Sequence, residues 1–150
     1  MRRLLLLAFL ACGPVFAQEF KLGDLSIDQP MAFETPKLAR AGGGFMSVTN
    51  TGDTDDILLE VKTDFPMTQI HRTEIDANGI ATMNHVDRLD IPAGQTVELK
   101  PGGLHIMFMG LKPGEGLTLG DTFKATLVFE KAGEVEVEFM IKKRTHGTGH

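Results

Sequence analysis

The sequence predicts an all-β domain, a two-sheet sandwich of immunoglobulin-like or cupredoxin-like shape. Three observations lead there. Helical periodicity is missing after Gln18, short alternating or β-branched runs recur, and Gly, Pro, Asn and Asp punctuate them at close intervals. Nine strands are expected: Leu25 to Asp28, Phe45 to Thr49, Asp56 to Val61, Gln69 to Ile75, Ile80 to Val86, Thr96 to Leu99, His105 to Phe108, Thr122 to Glu130 and Glu134 to Ile141. Leu25 to Asp28 stops short of Pro30, and Phe45 to Thr49 follows Gly42-Gly43-Gly44 and runs into Asn50-Thr51-Gly52. Pro101-Gly102-Gly103 makes the turn into His105, and Ala132-Gly133 joins the last two strands. The final run shows the pattern most cleanly: Val135, Val137 and Phe139 alternate with Glu134, Glu136 and Glu138, one dry face and one wet.

Gln69 to Ile75 and Ile80 to Val86 read as a hairpin, and its loop length decides which side chains meet. A two-residue Asn78-Gly79 turn would set His71 against Val86 and leave Met83 on the opposite side. A three-residue loop, Ala77-Asn78-Gly79 with Gly79 left-handed in a bulge, instead sets Asp76 against Ile80, Thr73 against Met83 and His71 against His85. Only the longer loop puts His71, Met83 and His85 on one face, because register has parity.

Residues 1–17 read as an export signal: Arg2 and Arg3, an apolar run from Leu4 to Ala11, and a Val15-Phe16-Ala17 cleavage pattern. The run is too short to remain as a membrane span. A second reading takes Leu10-Ala11-Cys12 as a lipoprotein site. Cleavage after Ala17 removes the single cysteine, so that mature form has no disulfide and no thiol chemistry. It also removes two arginines, leaving 13 Lys and Arg against 20 Asp and Glu, a formal charge of −7. Such a balance argues against nucleic acid or anionic lipid as partner. Residues 18–141 fit one domain, and 142–150 form a polar tail.

Chemistry concentrates in His105-Ile106-Met107. Residues i and i+2 of a strand share a face, so an imidazole and a thioether stand side by side. With His71 and Met83 they make a set of two nitrogens and two sulfurs, suited to a soft monovalent metal, Cu(I). Thioethers need no deprotonation, so acid competes only at the histidines and binding is expected to weaken below about pH 6. Lacking a cysteine ligand, the site is not a blue-copper centre, which favours transport or storage over electron transfer. Met31, Met46, Met67, Met109 and Met140 are expected to fill the core. Met109 is a reserve ligand if its strand continues. His85 reads as a solvated strand histidine or an outer partner of the site. His146 and His150 read either as a flexible chelator for a second ion, Cu(II), or as an inert end.

Catalysis finds little support: Ser26 and Ser47 lack a nucleophile motif, and Gly42-Gly43-Gly44 precedes a strand rather than a helix. The expectation is a protein that is not an enzyme. A mature start at Gln18-Glu19 also disfavours an oxidative copper enzyme built on an N-terminal histidine.

Eleven residues separate His71 from Met83 and twenty-one separate Met83 from His105. In this spacing the chain resembles the periplasmic copper chaperone family PCuAC, whose signature is a histidine, a methionine roughly ten residues on, and a later His-Xaa-Met. The stretches 44–52, 101–111 and 120–130 share the likeness, which covers residues 25–142. The resemblance implies one Cu(I) held by His71, Met83, His105 and Met107, carried through the periplasm to the copper centres of respiratory oxidases. The acceptor would be cytochrome oxidase subunit II or a Sco-type thiol protein. A monomer is the default expectation. The rivals are copper sequestration for tolerance, and a metal-free adhesion or assembly module.

Overall fold

The computed structural model describes residues 18–145, so the export segment 1–17 with Cys12, and the tail histidines His146 and His150, lie outside the described residues. Among those described, eleven strands and no helix occur. They are β1 (Glu19–Leu22), β2 (Leu25–Phe33), β3 (Ala41–Asn50), β4 (Asp56–Lys62), β5 (Met67–Ile75), β6 (Ala81–His85), β7 (Leu89–Ile91), β8 (Thr96–Leu99), β9 (Leu104–Met109), β10 (Thr122–Phe129) and β11 (Gly133–Lys142). All nine expected runs are strands. The two additional ones, β1 and β7, are four and three residues long, too short for alternation to announce them.

Two strands extend past punctuation that reads as their end or their boundary. β2 continues through Gln29, at φ 50°, and the buried Pro30, where pairing with β3 slips between Asp28 and Met31. A bulge accommodates proline because its missing N–H falls where no ladder bond is required. In β3, Gly42-Gly43-Gly44 lies within the strand rather than before it, a correction to the expected boundary. A Cβ built on Gly44 would stand 2.6 Å from the Phe108 ring, and one on Gly42 2.6 Å from Leu117. The glycines therefore admit core side chains that any other residue would push away.

The hydrogen-bonded order is β6-β5-β9-β3-β2-β11-β10-β4-β7, with β1 on β2 and β8 on β3. Among the described residues, only β11 and β2 pair in parallel. Laid flat, β9 and β11 would be about 14 Å apart at ~4.8 Å per strand. Yet Phe108 on β9 and Phe139 on β11 have ring centroids 5.6 Å apart. The sheet therefore curls until its two sides face each other, which makes the expected sandwich from one continuous sheet. Phe108 stands edge-on to Phe123 at 4.9 Å and tilted against Phe65 at 5.3 Å, so phenylalanines do the core filling that a chain without Trp or Tyr requires.

Candidate metal centre

The hairpin takes the longer loop. His71 faces His85, Thr73 faces Met83 and Ile75 faces Ala81, while the Asp76 N–H donates to the Ile80 carbonyl at 3.0 Å. Gly79 sits at φ 79°, and the Asp76 carboxylate accepts from the Asn78 and Ile80 amides at 2.8 and 2.9 Å. Asp76 thus holds the turn and the bulge that fix the register.

On the other side of β5, the β9 ladder sets His105 opposite His71 and Met107 opposite Gln69. Paired residues share a face, so parity brings all four predicted ligands, His71, Met83, His105 and Met107, onto one side of three adjacent strands. The His71 and His105 rings are 6.0 Å apart, centroid to centroid, at 74°.

Each ring is oriented by one neighbour and left bare at its other nitrogen. His105 is only 6% exposed, and its Nδ1 donates to the Gly103 carbonyl at 2.9 Å; a carbonyl only accepts, so the proton is on Nδ1. That leaves a lone pair on Nε2, which is buried and has no partner. His71 Nε2 lies 3.0 Å from Oε1 of Gln69, to which it donates, and His71 Nδ1 is likewise buried and unpartnered. Two buried nitrogens with empty acceptor sites are costly in an isolated fold and useful at a metal. Gln69 and the Gly103 carbonyl are the functional groups that sequence reasoning missed. Gln69 is signalled only by standing two residues from His71 on the same face.

Burial lowers the His71 pKa from the usual imidazole value, and the positive charge that His105 and His85 would carry lowers it further. The ring therefore stays neutral, with its lone pair available, to more acid pH than free imidazole. Because the folded pKa lies below the unfolded one, this contribution to stability is complete above the unfolded value of about 6.5 and is lost as pH falls toward the folded value. A pH titration of the ring resonances should place the His71 midpoint below about 6.5, with urea stability declining only on the acid side. A midpoint at or above the free-imidazole value would contradict the burial of this ring.

Met107 is half-buried, whereas Met83, on the edge strand β6, is 60% exposed. Met83, His105 and Met107 border a cleft of about 760 Å³, with Phe33, Phe45 and Arg144 across it. His85 shares the face at 5.9 Å from His71, but its side chain is 46% exposed and its Nδ1 lies 3.4 Å from Asp87 Oδ1, in keeping with the solvated reading. Among the described residues, no three His, Cys, Asp or Glu side chains converge as a metal site. Any ion held here depends on the thioethers, which selects against zinc and for a soft ion.

The expected fate of the other methionines needs correction. Met46 is buried as predicted, but Met31, Met67, Met109 and Met140 are not core residues. Each occupies an outward position of the alternation in its strand, as Met107 does.

A family described as "Putative lipoprotein LpqE-like" matches residues 25–141. The "Putative lipoprotein Lxx21020" of Leifsonia xyli subsp. xyli is 36% identical over 108 residues, 68% of this chain and 63% of that protein. The matched region thus spans less than two thirds of that relative's length. The copper-bound PCuAC domain from PmoF2 superposes with a TM-score of 0.69 at 27% identity, covering 85% of this chain and 99% of that one. CuI-DR1885 from Deinococcus radiodurans gives 0.63 at 28% identity, over 87% and 85% of the two chains.

Proposed function

The chain belongs to the LpqE-like family, and from that membership, its likeness to PCuAC domains and its bare ring nitrogens we propose that it is an exported carrier of Cu(I). One observation carries the proposal: the unpartnered Nδ1 of His71 and Nε2 of His105 are buried on the face that also bears Met83 and Met107. Copper is the cargo of such a protein rather than a resident cofactor. The copper-bound PmoF2 domain and CuI-DR1885 support both the metal and its monovalent state. Gln69 and Gly103 hold the imidazoles in the tautomers that offer nitrogen to the ion. The exposed Met83 is the ligand that leaves first, so release proceeds by stepwise exchange toward a thiolate acceptor, which binds Cu(I) more tightly than a thioether does. On this proposal the protein is a monomer without catalytic turnover, and its acceptor is a copper-binding protein of the respiratory oxidases or a Sco-type thiol protein. Loss of oxidase activity at low copper on gene deletion marks delivery; copper sensitivity with normal respiration marks sequestration.

Export follows from residues 1–17 and is supported by the lipoprotein descriptions of both the family and the Leifsonia relative. Residues 1–17 offer two forms of export, cleavage after Ala17 and acylation at Cys12, and the second is the one put to the test. Among the described residues no helix is long and apolar enough to cross a membrane. Labelled palmitate is expected to enter the native chain and not the Cys12→Ala variant; an unlabelled native chain starting at Gln18 would restore the simple signal peptide.

Titration with Cu(I) under reducing conditions tests the carrier proposal. One equivalent should shift the ring resonances of His71 and His105 and the methyl resonances of Met83 and Met107. An absence of shifts at all four would favour the metal-free adhesion module.

A further inference from the structure

Of the described methionines only Met46 is buried in the core. The others share the outward face of β6, β5, β9, β3, β2 and β11, which is also the face of the candidate centre. Their distribution along that face is uneven. Met67 and Met109 stand directly opposite each other in the β5–β9 ladder, where paired Cβ atoms are about 4.5–5.5 Å apart. Met107 follows on the same face of β9, about 7 Å along the strand. On the β3 side of these sulfurs the ladder supplies only Ala41, opposite Met109, and Gly43, opposite Met107. The Phe45 ring leans over Gly43 beside Met107, whereas only the small Ala41 faces Met109, and Met67 is 52% exposed.

We propose that Met67 and Met109, sharing Met107 with the His/Met centre, form a second, thioether-only site for a soft monovalent ion. The methionine side chain is unbranched with three rotatable bonds, so three sulfurs from adjacent positions can close on one ion. Thioether sulfur without thiolate or carboxylate suits Cu(I) or Ag(I) and offers little to zinc or calcium. Four ladder positions, about 14 Å, separate the Met67–Met109 pair from the His71–His105 pair, with Met107 and Gln69 midway between them on the same face. An ion enters on Met67, Met109 and Met107, then exchanges the first two sulfurs for the bare nitrogens of His71 and His105 while Met107 stays bound. No electron is transferred and no protein bond breaks; only ligands exchange. The inference deepens the carrier reading and rests on it for the identity of the ion.

Met31 and Met140 serve as an internal control. They too lie opposite each other on the outward face, but the residue facing Met31 on its other side is Phe45, so only two sulfurs meet there. The experiment uses the full chain labelled with carbon-13 in its methionine methyls, titrated with Cu(I) to two equivalents. Met67 and Met109 are expected to shift while Met31 and Met140 stay in place. In the Met67→Leu, Met109→Leu variant the centre should fill several-fold more slowly from a Cu(I) chelate. Stationary Met67 and Met109 methyls, or Met31 and Met140 moving in step with them, would overturn the site, and an unchanged filling rate would overturn its role in transfer. Failure of the carrier reading shows separately, as stationary His71 and His105 ring resonances in proton spectra of the same titration.

Discussion

Alanine at both His71 and His105 is expected to weaken Cu(I) binding by on the order of 10³-fold, about 4 kcal/mol. The size follows from what each ring contributes. Losing a group that only orients a metal ligand costs about 10–100-fold in affinity, so a direct ligand is set at least that high. Both rings are already oriented before the ion arrives, His105 by the Gly103 carbonyl and His71 by Gln69. Little ordering entropy is therefore left to spend on binding, and little is recovered when they are removed. Chelator competition measures the change. Alanine at His85 provides the contrast: this ring is turned toward Asp87 and solvent, so its removal should alter affinity far less. Equal losses from His85→Ala and from either ligand variant would show that the sheet face attracts copper without the assigned geometry.

Truncating Phe108 to alanine should cost about 3–5 kcal/mol of stability, the usual range for a fully buried phenylalanine. Its ring has no exposed surface and touches those of Phe65, Phe123 and Phe139, which come from a loop and from two strands across the core. The surrounding strands are hydrogen-bonded on both sides and have little freedom to close the void. Phe108 also lies between Met107 and Met109 on β9, facing inward where they face outward. Loosening its anchorage frees the strand that presents His105 and Met107, so copper affinity should fall along with stability. Urea denaturation gives the first quantity, and a loss below about 1 kcal/mol would mean the core is not organised around this ring.

The sequence was most legible where a pattern repeats over many residues. β10 and β11 declare themselves through strict alternation, and the hairpin through loop length and parity, which together fixed two of the four predicted ligands, His71 and Met83, relative to one another. It misled where a residue type has two uses. Pro30 and Gly42 to Gly44 look like strand boundaries, yet they serve a bulge and close packing inside strands. Methionine looks like core filler because it usually is. The even spacing of Met67 from His71, and of Met109 from His105, marked both as outward residues once those histidines were assigned to an outer face. The hydrogen bonds that set the tautomers were not legible at all, because a backbone carbonyl has no sequence signature.

The central claim is that two imidazole nitrogens and two thioether sulfurs meet at one ion. X-ray absorption at the copper edge of the chain loaded with a single equivalent of Cu(I) tests it most directly. The expected result is a monovalent edge with two sulfur and two nitrogen neighbours, one sulfur being lost in Met107→Ala. A shell of nitrogen and oxygen alone, unchanged in that variant, would contradict it.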